Sequence, residues 1–440
     1  CSGSSVNVNP VNGGGNIVPP GTTYTWTVSS NPNLTGQINQ PNAQNNFVQT
    51  ITNISSQAQT IIYTVTPLGG VCLGTPFTVT VTVNPNAVIA AQSTTICSGN
   101  TFSINPVNSP PQTIIPPGTV YSWVLPTSIP AGAVTGGSIA NNQLSISQTL
   151  TNTTANPATL TYTVTPLSGN CQGNNFQVVV TVNPAPVIAA VNQSICSGSA
   201  FNFTPNVIGN IIPSNTLYTW TYVDNPSITG ETSNNIGAAS INQTLTNTTN
   251  TNQSVVYSIT PTSGAQGNCV GNNFNLTLTV NPLPSLPATN LSICSGQALT
   301  FTPQNGNGAI VPAGTTLTWV LPTISGSITG ASIGTNQNIF TQTLTNTSTA
   351  IQTATYSVTP SGPAPSLCQG APFNIVVTLN IAPLFPNQSA SLCSGNSYTS
   401  AWVNNPPTIV IPNGTSYSWS NPVQNPVGSV TGISPGVSQN

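Results

Sequence analysis

Apolar and polar positions alternate along much of this chain. The clearest run is Phe176–Pro184: Phe176, Val178, Val180 and Val182 face one way, Gln177, Val179 and Thr181 the other. Phe77–Pro85 and Phe274–Pro282 repeat the pattern. A period of two filled with β-branched residues predicts half-buried strands. Asn-Pro ends each of these runs, because proline cannot donate to a sheet ladder. No stretch shows an apolar period of 3.6, and proline or glycine interrupts the chain every few residues. The expected fold class is therefore all-β.

The strands recur in a fixed order. Cys-Ser-Gly begins at Cys1, Cys97, Cys196, Cys294 and Cys393, and a second cysteine series lies at Cys72, Cys171, Cys269 and Cys368. Trp26, Trp123, Trp220, Trp319 and Trp419 follow the same spacing, four of them in Tyr-x-Trp, with Leu317 in the tyrosine place of the fourth. Gln-Thr-(Leu/Ile)-Thr-Asn starts at Gln49, Gln148, Gln243 and Gln342. Tyr63, Tyr162, Tyr257 and Tyr356 each open Tyr-x-(Val/Ile)-Thr-Pro. A period of about 98 residues is too long for a solenoid unit and matches a whole immunoglobulin-like (Ig-like) β-sandwich.

Ig logic assigns the strands. In the third repeat, Val187–Ile195 reads as strand A and Cys196-Ser197-Gly198 as the A–B turn. In the second, Thr101–Asn105 is strand B. Strand C carries Tyr121 and Trp123 on one face, with the tryptophan as core anchor. Leu144–Asn152 is strand E, Leu160–Pro166 strand F and Phe176–Val182 strand G. Tyr162 stands where a tyrosine corner would be. Trp26, Trp123, Trp220, Trp319 and Trp419, with Tyr63, Tyr162, Tyr257 and Tyr356, are the expected core. The repeats divide as 1–85 (without strand A), 86–184, 185–282, 283–381 and 382–440 (ending before strand E). Almost no linker separates them, so neighbours should abut end to end in a rod.

Composition now narrows the function. The 440 residues include no Lys, Arg, His or Met, and Asp224 and Glu231 are the only acids. Acid–base catalysis needs a nearby titrating group, and a serine nucleophile needs an adjacent base. Both are missing from four repeats, so no enzyme and no cofactor are expected. Two carboxylates cannot build a calcium cage, and no cysteine cluster fits zinc. Without Lys and Arg the chain has no means of neutralising nucleic-acid phosphates or binding anionic lipid. No run approaches the roughly 20 apolar residues of a spanning helix. Asp224 and Glu231 read as solvated surface charge. Sequons such as Asn152-Thr153-Thr154 read as a by-product of Asn/Thr-rich composition.

One cysteine of each series per repeat implies disulfides and an oxidising compartment. Pairing within repeats would join Cys1–Cys72, Cys97–Cys171, Cys196–Cys269 and Cys294–Cys368. Strand order argues against it, because the A–B turn and F–G loop lie at opposite ends of a sandwich. A six-residue strand is about 20 Å long, whereas a disulfide holds its Cα atoms within about 7 Å. In an end-to-end array the A–B turn of one repeat faces the F–G loop of the next. That pairs Cys1–Cys171, Cys97–Cys269 and Cys196–Cys368, and leaves Cys72, Cys294 and Cys393 for partners outside this stretch. A misplaced strand A would restore the first pattern, so both stay open here.

Several of these motifs carry a resemblance. Ile96–Gly99 (Ile-Cys-Ser-Gly), Tyr24–Trp26 (Tyr-Thr-Trp), Gln148–Asn152 and the Phe-x-Val-x-Val-x-Val-Asn-Pro strand resemble the PKD-like (Ig-like) repeats of giant Bacteroidota surface adhesins. The likeness is greatest to gliding-motility adhesins of the SprB type. It implies type IX secretion, an outer-membrane export and anchoring partner, a cell-surface location, and adhesion to an external surface or polysaccharide. The family's acidic loop residues are lacking here, which removes the expectation of calcium. The chain is thus expected to be a non-catalytic stalk whose partners are its own neighbouring repeats, with lateral self-association open to an uncharged β-array. Two alternatives remain: a carbohydrate-binding module, for which Trp402 outside the repeated series is the candidate contact, and an accessory array of a secreted enzyme. The competing expectation for Trp402 is burial in strand B of the last repeat, beside Tyr398.

Overall fold

The computed structural model describes every residue except 206, 207, 265, 266, 401, 407 and 440. Among the described residues all regular structure is β-strand. The second repeat shows the plan. Its larger sheet runs in the order A (Gln92–Cys97), G (Phe176–Asn183), F (Ala158–Ser168), C (Val120–Trp123) and C′ (Ala140–Gln143). A is parallel to G, with Cys97 opposite Asn183; the other pairs are antiparallel. The opposing face is built from B (Thr101–Ile104) on E (Ile146–Thr149), and Val134–Thr135 on Thr151–Asn152. The third and fourth repeats copy this arrangement. In the first, Phe77–Val83 pairs with Gln59–Gly69 and no strand A flanks it.

The alternating runs bury as their pattern requires. Phe176, Val178, Val180 and Val182 are buried, while Gln177 between them is exposed. Each of the first four repeats has its own apolar cluster, centred on the conserved-spacing Trp and Tyr. The facing core positions of strands B and E vary in size from repeat to repeat: Val8 stands opposite Phe47, Ile104 opposite Ile146, Phe203 opposite Ile241 and Phe301 opposite Phe340.

Three boundaries differ from expectation. Strand A of the third repeat is Val191–Cys196, not Val187–Ile195: Val187 forms an isolated bridge to Ile211 of the B–C loop, and Cys196 is itself the last strand residue. Strand E is split at Leu150, because its first half pairs with B and its second with the short Val134–Thr135 strand. The next turn demands glycine. Gly136 has φ 92°, and a Cβ there would lie 2.2 Å from the Thr149 carbonyl oxygen, a position open only to a residue without one.

In the stretch 382–440 the described strands are Tyr417–Trp419 and Gly436–Gln439. Trp419, expected in the core, is 51% exposed. Its Nε1 still donates to the Ser434 carbonyl, as Trp123, Trp220 and Trp319 do to theirs, but no described strand E lies over the ring. Trp402 is half-buried, outside any strand, and packs edge-on against Phe385 (centroids 5.0 Å), which in turn meets Tyr417. Tyr398, its expected neighbour in a strand B, is 57% exposed.

Candidate functional site

The residues that recur most strictly converge at the end of each sandwich where strand A turns into strand B. Cys97 ends strand A, and the Ser98 N–H donates to the carbonyl of Asn183, the last residue of strand G (2.8 Å). The Gly99 N–H donates to Leu150 O (2.8 Å), at the break in strand E. Ser98 Oγ accepts the Asn152 N–H (2.9 Å). Cys-Ser-Gly is thus the clasp that holds A, E and G together at one end.

Asn152 occupies the centre of the clasp and is 1% exposed. Its Nδ2 donates to the carbonyls of Asn156 and Val182 (both 2.8 Å), and its Oδ1 accepts from the Thr154 N–H (2.9 Å) and hydroxyl (2.8 Å). Asn53, Asn247 and Asn346 make the same bonds in their repeats. Sequence reading took Gln-Thr-Leu-Thr-Asn as a strand marker and missed this role. The available signal was an asparagine at one fixed place in a strand whose other repeated residues, the leading Gln apart, are apolar or β-branched. Burial also removes Asn152 as a glycan acceptor in the folded repeat.

The tyrosines do not form tyrosine corners. Tyr162 is fully buried, and its hydroxyl crosses the sandwich to donate to Gln148 Oε1 on strand E (2.8 Å) rather than to nearby backbone. Tyr257 and Tyr356 use Gln243 and Gln342 in the same way. Gln148 is free to accept because its amide nitrogen donates to Ser138 O (2.9 Å), the same carbonyl that takes the Trp123 Nε1 proton. Tyr63 lacks such a partner. Burial pushes the Tyr63 and Tyr356 phenols up to about 12, and those of Tyr162 and Tyr257 higher still, Tyr257 with a smaller contribution from the Glu231 carboxylate. Glu231 is half-buried and Asp224 exposed, so only the second has the solvated setting expected of both.

The clasp is also where repeats join. Cys1 is bonded to Cys171, Cys97 to Cys269 and Cys196 to Cys368, with Cα separations of 5.4, 5.5 and 5.6 Å. Each bridge runs from the A–B turn of one repeat to the F–G hairpin of the next. The F–G sulfurs sit inside the junction: Cys171, Cys269 and Cys368 are at most 2% exposed. Cys72, Cys294 and Cys393 are free and exposed. Further contacts accompany the bridges. The Asn86 side chain donates to Ser2 O (3.0 Å) and that of Asn108 to Ser56 Oγ (3.2 Å). At Gly267 a Cβ would collide with the Asn183 side chain of the preceding repeat. Among the described residues no group of three His, Cys, Asp or Glu is placed to hold a metal ion.

Comparison with known families matches the PKD-like domain four times, over residues 1–87, 94–186, 193–284 and 291–383. The chain belongs to the PKD-like domain family. Its four matched PKD-like repeats stand in tandem, all-β and Ig-like in strand order. No curated protein sequence matches the chain. Among solved structures, the human desmocollin-1 ectodomain is similar at 11% identity over 82% of this chain and 75% of that one (TM-score 0.24). A titin I-band fragment, I67–I69, is similar at 8% identity over 67% and 98% (TM-score 0.28). Sidekick-1 immunoglobulin domains 1–4 are similar at 10% identity over 87% and 95% (TM-score 0.21). The disulfides and the PKD-like repeats together resemble those of extracellular proteins.

Proposed function

We propose that this array is the non-catalytic stalk of an extracellular, cell-surface adhesin filament, serving surface attachment or gliding. The observation that carries this reading is the junction. Three successive pairs of repeats are joined twice, once by the peptide chain and once by a disulfide. Covalent reinforcement between modules suits a part that must hold separated ends under load. The near-absence of charge supports the same role. Side chains that carry no charge feel neither salt nor neutral pH, and a chain without Lys or Arg offers no site to trypsin. The resemblance to gliding-adhesin repeats supports type IX export and outer-membrane anchoring.

A stalk sets distance and leaves recognition to other parts. Deleting two whole repeats from the native surface protein should shorten the filament seen by electron microscopy and leave binding per filament unchanged. Loss of binding at unchanged length would favour the carbohydrate-binding reading. A glycan array on the isolated repeats, with Trp402→Ala as the comparison, would then locate the contact.

A further inference from the structure

The staples do more than fasten each repeat to the next. Strand G of the second repeat leaves the F–G hairpin at Cys171 and runs to Asn183 at the far end of its sandwich. The chain then enters strand A of the third repeat, which is parallel to that repeat's own G and so continues in the same direction to Cys196. Cys196 is bonded to Cys368, where strand G of the fourth repeat begins the same course toward Cys393. A second path starts at Cys72, follows G of the first repeat and A of the second to Cys97, and crosses to Cys269. It then follows G of the third repeat and A of the fourth to Cys294.

Each path consists of G and A strands, the short segments that link them, and disulfides; after Asn380 no strand A is described on the way to Cys393. The two paths exchange roles at every repeat. In the second repeat G belongs to one path and A to the other; in the third the assignment is reversed. In the second, third and fourth repeats they lie side by side in a six-residue parallel ladder. The rest of each repeat, such as residues 97–171, connects one path to the other as a rung.

We propose that the array bears tension through these two disulfide-spliced strands, and that the folded bodies of the repeats lie outside the load path. In an unbridged tandem array, force enters a domain at strand A and leaves at strand G. Unfolding then releases the whole domain, on the order of 300 Å for about 98 residues at roughly 3.3–3.6 Å each. Here the shortest covalent route from Cys1 to Cys393 is two bridges and two 25-residue segments, 171–196 and 368–393. Segment 171–196 is already strand over most of its length, and 368–393 carries the strand Phe373–Asn380. Unfolding a rung lengthens neither path, so the stalk is inextensible even where a repeat has melted. The parallel A–G ladder divides the load between the two strands.

The test is single-molecule stretching of the full 440-residue chain, held by peptide tags at its two ends, with three free thiols verified by mass. The oxidised chain should show no repeat-sized lengthening from its first four repeats. The pair Cys196→Ser and Cys368→Ser cuts one path and leaves Cys1–Cys171 and Cys97–Cys269. Its shortest route now detours through rungs, and it should extend roughly 500 Å further before reaching its covalent limit. Steps near 300 Å in the oxidised chain would overturn the proposal, as would a doubly substituted chain no longer than the original. No ligand enters the measurement, so its failure would leave the adhesive reading untouched, and a failure of binding would leave the mechanics untouched.

Discussion

Asn152→Ala will destabilise the second repeat by about 3–5 kcal/mol. The estimate follows from what the side chain leaves behind. The buried Val182 carbonyl and the half-buried Thr154 N–H each lose a partner, the Asn156 carbonyl keeps only the Thr154 hydroxyl, and the asparagine they surround is 1% exposed. A buried polar group left unpaired costs about 1–3 kcal/mol, and alanine leaves a small cavity as well. Against a typical domain stability of about 5–15 kcal/mol, such a loss removes a large share of what holds the repeat folded. Asn152→Asp should be as harmful, because it replaces an amide donor with an acid that has nothing positive to face. Asn141→Ala on the exposed C′ strand is the control and should fall within about 0.5 kcal/mol of the parent. Denaturant unfolding of the oxidised chain measures all three. A loss below about 1 kcal/mol for Asn152→Ala would mean that the clasp does not stabilise the sandwich.

The second large effect is alkaline. The buried phenols hold their protons to about 12 or beyond in the folded repeats, whereas an unfolded tyrosine ionises near 10. A raised folded pKa means that the folded state binds the proton more tightly. Its contribution is fully present below about pH 10 and is lost as pH rises through the folded value. For Tyr63 and Tyr356 the loss approaches roughly 2–3 kcal/mol each at the high end of that window. With no histidine and two carboxylates in the whole chain, few buried groups are left to make stability depend on pH below it. The melting temperature should therefore be level between about pH 5 and 9 and fall steeply between about pH 10 and 12. Tyr162→Phe should flatten the fall for its repeat, at a cost of about 1 kcal/mol for the lost Tyr162–Gln148 bond, since Gln148 Oε1 keeps the Ser138 N–H. A steady slope through neutral pH, or phenolate absorbance rising fully near pH 10 before any unfolding, would contradict this.

Much of the architecture can be read along the chain, because local physics decides it. Alternation specifies which residues of Phe176–Asn183 point inward, and Asn-Pro specifies where the strand ends. One cysteine of each series per repeat left two pairing patterns, and strand order favoured the one between neighbours; deciding it depends on how one repeat meets the next, which no local pattern records. The clasp was harder to see. In a chain saturated with Asn and Thr, Asn152 looks like surface, and its partners Asn156 and Val182 come from a turn and a distant strand. The Tyr162–Gln148 bond joins opposite faces of the sandwich, so the tyrosine was assigned to a more familiar local motif. That Ile104 faces Ile146 in one repeat and Phe301 faces Phe340 in another is visible only once B and E are in register. Trp419 shows the converse: its sequence neighbourhood matches the buried tryptophans, but burial is conferred by a strand that lies elsewhere in the chain.

The central claim is that each repeat is closed onto its neighbour. Chymotryptic peptide mapping of the native protein without reduction tests it directly. A linked peptide pair containing Cys97 and Cys269, with matching pairs for Cys1–Cys171 and Cys196–Cys368, is the predicted result. A linked pair joining Cys97 to Cys171 would contradict it.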